Sequence, residues 1–291
     1  MTQLTSRSGA REFGAGHPTL LINDRLRIID QDVRVLAELK KGSIRPLLDL
    51  ADQGKRIGID AVNILVDHPD IDEVELLPKI ATGVQEELGC FISLDSRNPA
   101  ALKAALKALR PYKVLINSVN ANPEVLENIL PLAVEFKAAV VGIPIGMAHG
   151  VPNTVEGRLA EARIILEAAR AVGIPKEDLV IDAICLAAAA TADSMRVTLE
   201  TLSALVGEVG VTTLLGISNA GYGMPTPTYI DLAYLLSAVP WGMHAALVNP
   251  FTPDLIETTL AIDFLANRDP DGKRYIQFYR QEKKTQRVGS G

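Results

Sequence analysis

Six side chains at the ends of short apolar runs could together grip a small heterocycle: Asn63, Asp95, Asn117, Asp182, Ser218 and Asn219. They are carboxylates, carboxamides and a hydroxyl. An ionised carboxylate accepts two N–H bonds, and a carboxamide both donates and accepts. That mixture suits a neutral ring with an edge of alternating donors and acceptors, such as an amino-pyrimidinone. A metal site would call for His, Cys or several gathered carboxylates, so no metal is expected. A Schiff-base enzyme would need a Lys ending a strand. A phosphate site would need a Gly-rich loop, of which Gly221-Tyr222-Gly223 is only a fragment.

The elements that hold these residues follow from the pattern around them. Apolar, β-rich runs recur at 19–22, 61–66, 90–94, 114–116, 139–143, 179–181, 212–217 and 245–248. Segments with helical spacing lie between them. The segment 99–109 opens with Pro99 after Asn98, an N-cap followed by a first-turn proline, and 123–136 follows Asn122 in the same way. The segment 154–172 opens at Thr154 and stops at Gly173-Ile174-Pro175; a further one covers 257–265. Strands alternating with helices predict parallel strands joined by crossovers, and eight of them predict an α/β fold closed into a (β/α)8 TIM barrel over residues 18–268. Residues 1–17 are expected to be a flexible leader and 269–291 a loosely packed C-terminal tail.

In such a barrel, chemistry lives at the carboxyl ends of the strands. Besides the six residues above, those ends carry Asn23-Asp24-Arg25, Asp67-His68 and Asn249. Asn63 and Asn249 read equally as site or scaffold. His68, His149 and His244 read as loop or packing residues, and Cys185 as a small buried hydrophobe.

The chain has 291 residues, 48% of them hydrophobic and only 4% aromatic, so its core must be built from Ala, Val, Ile and Leu. A net charge of −6 without a basic stripe argues against nucleic acid and anionic membrane as partners. Two distant cysteines fit a reducing, cytoplasmic setting. The uncharged stretch 232–248 is interrupted by Pro240 and Gly242 and is expected to be a buried helix, a turn and a strand.

Four motifs at strand ends then carry a resemblance: Ser93-Leu94-Asp95-Ser96-Arg97-Asn98, Ile116-Asn117-Ser118, Val180-Ile181-Asp182 and Leu215-Gly216-Ile217-Ser218-Asn219. In order and spacing the chain resembles the methyltetrahydrofolate:corrinoid protein methyltransferases over residues 19–268. These are pterin-binding barrels related to the folate module of cobalamin-dependent methionine synthase. The resemblance implies that Asp95, Asn117 and Asp182 hold the pterin, with Asn63 and Ser218 beside them, and that Asn219 approaches N5. It implies methyl transfer between N5 of tetrahydrofolate, as 5-methyltetrahydrofolate, and the cobalt of a cobalamin. Asn219 would donate to N5 as charge develops, and Asp182 would support proton delivery through water. No Asp-x-His-x-x-Gly corrinoid signature occurs, so a separate corrinoid protein is expected to supply the cobalamin. Homodimers are common in the family.

The second strand departs from the family pattern, reading Asn63-Ile64-Leu65 where Asp-x-Asn is usual. Tyr222, Thr226 and Pro227 stand where Gln and Arg are usual. Such differences suit a branch with its own partner, as in O-demethylation systems. The alternatives are a dihydropteroate synthase-like enzyme and a non-catalytic folate-binding barrel. The former would carry cationic groups after the sixth and seventh strands, where this chain has Ile184-Cys185-Leu186-Ala187 and Ser218-Asn219-Ala220.

Overall fold

The first residues are ordered and correct the expectation of a flexible leader. In the computed structural model, which describes residues 1–147, 150–191 and 193–280, strands β1 (Thr2–Ser6) and β2 (Gly9–Phe13) pair as an antiparallel hairpin. The alternation of a strand turns Leu4 inward, 1% exposed, and brings Phe13 to 0%. Both pack with Leu20, Phe91 and Leu115 at the floor of the barrel. Thr5 N–H donates to the Lys113 carbonyl at 2.9 Å, and Thr2 Oγ1 donates to Thr212 Oγ1 at 3.0 Å, so the hairpin seals the amino-terminal end.

The barrel itself runs β3 (Leu20–Arg27), α1 (Val33–Lys40), α2 (Arg45–Arg56), β4 (Ala61–Leu65), α3 (Glu73–Gly83), β5 (Phe91–Asp95), α4 (Pro99–Ala108), β6 (Leu115–Asn120), α5 (Pro123–Phe136), β7 (Ala139–Ile143), α6 (Val155–Ala171), β8 (Leu179–Asp182), α7 (Ser194–Ala204), β9 (Thr212–Gly216), α8 (Pro227–Ala238), β10 (Ala245–Val248) and α9 (Leu255–Leu265). All eight barrel strands are parallel, and β10 pairs with both β9 and β3 to close the ring. The helix starts follow local chemistry. Asn98 accepts from Ala100 N–H, Asn122 from Glu124 N–H and Thr154 from Gly157 N–H, each cap contributing about 1 kcal/mol.

Strand parity decides what faces the lumen. Residues two apart share a face, so inward positions run Ile22 then Asp24, Ala61 then Asn63, Phe91 then Ser93 and Asp95, Leu115 then Asn117, and Val180 then Asp182. The intervening Val62, Ile92, Leu94, Ile116 and Ile181 pack outward against the helices. The lumen is therefore apolar at the floor and polar at the mouth.

The tail is also more ordered than expected. The Asp269 carboxylate accepts the N–H groups of Arg274 and Tyr275, both at 3.1 Å, and caps a helix α10 over 273–280. Tyr275 stacks on Phe264 of α9 with ring centroids 6.3 Å apart. Residues 281–291 of the expected tail, like His149, lie outside the described residues. Among the described residues no helix is long and apolar enough to cross a membrane.

Candidate active site

Asn63, 6% exposed on β4, is the hub of the mouth. Its Nδ2 donates to Asp95 Oδ2 at 2.8 Å, while its Oδ1 accepts from Ser93 Oγ at 2.7 Å and from Asn117 Nδ2 at 3.1 Å. Both acceptor lone pairs and one donor are thereby used, which leaves a single N–H for a ligand. The consequence falls on the neighbours. Asp95 and Asn117 are register partners on β5 and β6. Each keeps one side-chain oxygen without a hydrogen-bond partner among the described residues. Burial pushes the Asp95 carboxyl up to about 6, opposed by the Asn63 hydrogen bond and the Arg27 charge.

Asp182, at the end of β8, accepts the Ile184 N–H at 2.8 Å through Oδ1. Burial raises its carboxyl to about 6, moderated by that N–H and by the Arg158 charge. The loop that follows is held from below by Arg158 of α6, a residue that sequence reasoning missed. Arg158 is 1% exposed and donates to the carbonyls of Ala183 at 2.7 Å, Ile184 at 3.0 Å and Pro152 at 3.1 Å, and to Thr198 Oγ1 at 3.0 Å. The available signal was a charge in line with Ala162, Ile165 and Ala169 on the buried stripe of one helix.

The opposite wall is the turn after β9. Ser218 and Asn219 fall in a single 3-10 turn, Ile217–Asn219, which leaves Asn219 exposed at the lip. Its amide folds back over Gly216, where an added Cβ would stand 2.9 Å from Asn219 Nδ2. An open cavity of about 580 Å³ joins the two walls. It is lined by Asp24, Asn63, Asp95, Ser218, Asn219 and Tyr222, with Arg25 and Arg27 at the rim. Asn117 reaches this cavity through Asn63. Asp182 does not line it, and sits farther round the ring beside Leu214 of β9.

Asp24 was also passed over. Its Oδ1 and the neighbouring Ser218 Oγ are both shut off from solvent, and among the described residues neither makes a well-formed hydrogen bond. Burial raises the Asp24 carboxyl, while Ser218 and Arg25 act in the other direction.

Other polar strand ends are scaffold. Asn23 turns outward, accepts Arg25 N–H at 2.9 Å and meets Gly54 of α2. Asn249 accepts Phe251 N–H at 3.0 Å as a turn residue. Asp67 pairs with Arg27 at 2.7 Å. His68 Nδ1 accepts Asp70 N–H at 3.2 Å. His244 lies at the floor, accepting Thr213 N–H at 3.1 Å, and burial pushes its pKa down to about 4.

Comparison with known proteins agrees with this geometry. The family described as pterin binding enzyme matches residues 37–249. A methylcorrinoid:tetrahydrofolate methyltransferase of Eubacterium limosum is 25% identical over 221 residues, covering 74% of this chain and 79% of that protein. A methionine synthase of Mycobacterium tuberculosis (strain ATCC 25618 / H37Rv) is 30% identical over 217 residues, which are 69% of this chain but only 18% of that protein. Among solved structures, the 7,8-dihydropteroate synthase of Vibrio fischeri ES114 superposes with a TM-score of 0.69 at 18% identity, covering 93% of this chain and 100% of that one. A dihydropteroate synthase of Coxiella burnetii in complex with pteroic acid gives 0.69 at 15% identity, covering 91% and 99%. At those identities the structures establish the barrel alone. With a barrel of this kind and a family match across most of its length, the chain belongs to the pterin-binding enzymes.

Proposed function

We propose that this enzyme moves a methyl group between N5 of tetrahydrofolate and the cobalt of a corrinoid carried by a separate protein. The observation that carries the reading is the Asp95–Asn63–Asn117 chain. Asn63 spends all but one N–H on its neighbours and so fixes one free carboxylate oxygen and one free carboxamide oxygen side by side. Two acceptors in a row fit the amino and ring N–H donors of a pterin, and the carboxylate makes the stronger, charge-assisted bond. Asp182 offers its second oxygen from β8. Relatives named for methylcorrinoid:tetrahydrofolate methyl transfer and for methionine synthesis support the same reaction.

On this reading Asn219 acts at N5. Its amide, folded over Gly216 at the lip of the cavity, makes no hydrogen bond among the described residues. A neutral donor there strengthens its bond as charge grows on N5, which favours the transition state over bound substrate. The turn after β9 offers Ser218 and Asn219 and no cation to take a departing diphosphate, which weighs against a dihydropteroate synthase-like reaction.

The test is methyl exchange between labelled 5-methyltetrahydrofolate and free cob(I)alamin, with folate binding measured separately. Binding with label transfer is the expected result. Binding without transfer to cob(I)alamin or to any corrinoid protein would leave a folate-binding barrel. Release of diphosphate from a pterin diphosphate would assign the other chemistry.

A further inference from the structure

Asp24 sits on β3, in line above Ile22, and reaches the mouth on the same side as Asn219. It lines the cavity, yet among the described residues neither its Oδ1 nor Ser218 Oγ beside it makes a well-formed hydrogen bond. Two shielded polar atoms without a well-formed hydrogen bond cost stability. A scaffold residue in such a place would be tied down, as Asn23 is by Arg25 N–H. The groups facing Asp24 are few. Arg25 and Asp30 flank it on its own loop, and Arg27 and Asp95 share the cavity. Asp231 of α8 also acts on Asp24 and is itself bound to Gly221 N–H at 2.7 Å. None of these neutralises Asp24 by an ion pair among the described residues. The two carboxyls expected from sequence to serve the pterin are differently placed, since Asp95 is held by Asn63 and Asp182 lies off the cavity wall.

We propose that Asp24, beside Ser218 at the mouth, is the catalytic residue that takes and gives the proton exchanged at N5. The inference rests on the methyl-transfer reading above. In the direction of methyl acceptance, the N5 lone pair of tetrahydrofolate bonds to the methyl carbon as the cobalt–carbon bond breaks. Both electrons of that bond stay on cobalt, which passes from Co(III) to Co(I). N5 then carries four substituents and a positive charge, and its N–H proton goes to the Asp24 carboxylate. In reverse, the Asp24 carboxylic acid protonates N5 while the Co(I) electron pair takes the methyl group. Burial raises this carboxyl above its usual range, which eases its holding the proton in one direction and giving it up in the other.

The experiment compares wild type, Asp24→Asn and Asp24→Glu. Folate binding is measured calorimetrically in two buffers of different ionisation enthalpy, which counts protons exchanged, and single-turnover transfer with cob(I)alamin or methylcobalamin is measured against pH. Asp24→Asn should bind folate within about threefold of wild type. Above about pH 7, where Asp95 and Asp182 are already ionised, it should lose the proton exchanged on binding; it should transfer about 10²-fold more slowly and lose one limb of the pH profile. Asp24→Glu should recover the limb and part of the rate. A wild-type rate and pH profile in Asp24→Asn would overturn the proposal. Should wild type bind folate but transfer no methyl, the functional reading fails instead. Proton exchange that vanishes in Asp24→Asn would then still place Asp24 against the pterin, and exchange that persists would remove it.

Discussion

Gly216 makes the space that Asn219 occupies: a Cβ at residue 216 would come within 2.9 Å of the Asn219 amide nitrogen. The contact is with the far end of a side chain, so Gly216→Ala should fold normally and push the Asn219 amide aside. Methyl transfer should then fall nearly as far as in Asn219→Ala, by about 10²-fold, with folate affinity changed much less. The double variant should be no slower than Asn219→Ala alone. Single-turnover rates on all three proteins check this, and additive losses would show that Gly216 acts otherwise.

Asn63 is predicted to act on affinity. Asn63→Ala frees Asp95 and Asn117 from their common neighbour and leaves Ser93 Oγ without its acceptor. Folate binding should weaken by about 2–3 kcal/mol, close to the ~2–4 kcal/mol expected for Asp95→Ala. Titration calorimetry reads both. An unchanged dissociation constant in Asn63→Ala would mean that Asp95 and Asn117 hold their places unaided.

The carboxyls at the mouth give a pH signature with opposite signs for stability and binding. Burial holds both Asp95 and Asp182 at about 6. The folded state thus favours their neutral forms. Their contribution to stability is greatest below about pH 4, where unfolded carboxyls are protonated too, and it is lost as pH rises to about 6. Binding runs the other way, because an N–H donor needs the ionised acceptor, so folate affinity should climb through about pH 6 and level off above it. Asp95→Asn should be more stable than wild type at pH 7, with the gap closing by pH 4, and should bind folate with a flatter pH dependence. Urea denaturation and calorimetry across that range provide the measurement.

Arg158→Leu should cost about 3 kcal/mol or more, since it strands the buried carbonyls of Ala183 and Ile184. Because those carbonyls belong to the loop after Asp182, folate affinity should fall along with stability. A variant destabilised to this extent that still binds at full strength at low temperature would separate the loop from the site.

Removal of the hairpin should also destabilise the barrel. Phe13→Ala alone should cost about 3–5 kcal/mol, because the ring is fully buried at the floor. The midpoint of urea unfolding reads the effect, and no change would return residues 1–17 to the status of a loose leader.

Much of this molecule was legible in its sequence because the signals are local. Asn98 before Pro99 and Asn122 before Pro123 start helices where they were expected. Strands buried on both faces announce themselves as apolar runs, and polar residues closing those runs mark the mouth. What the sequence hid depends on distance. The hairpin has only Leu4 and Phe13 to bury, and their partners lie far along the chain. Asn63 is a hub through residues 30 and 54 positions away. Asp24 resembles its neighbours Asn23 and Arg25 until strand parity assigns it to the lumen. Arg158 looks like any charge on an exposed helix until the loop above it closes.

Strand parity has one more consequence. Each inward step along a strand climbs about 6.6 Å, so height alone separates the apolar layer from the layer that handles substrate. Sliding one strand by a single residue would turn its site side chain out among the helices; sliding it by two would sink Asn63 or Asp95 into the apolar layer. The pairing that closes the ring is thus the same pairing that assembles the mouth. Closure in the correct register thus brings Asn63, Asp95 and Asn117 to the mouth together, and recovery of folate binding on refolding should keep pace with recovery of the barrel.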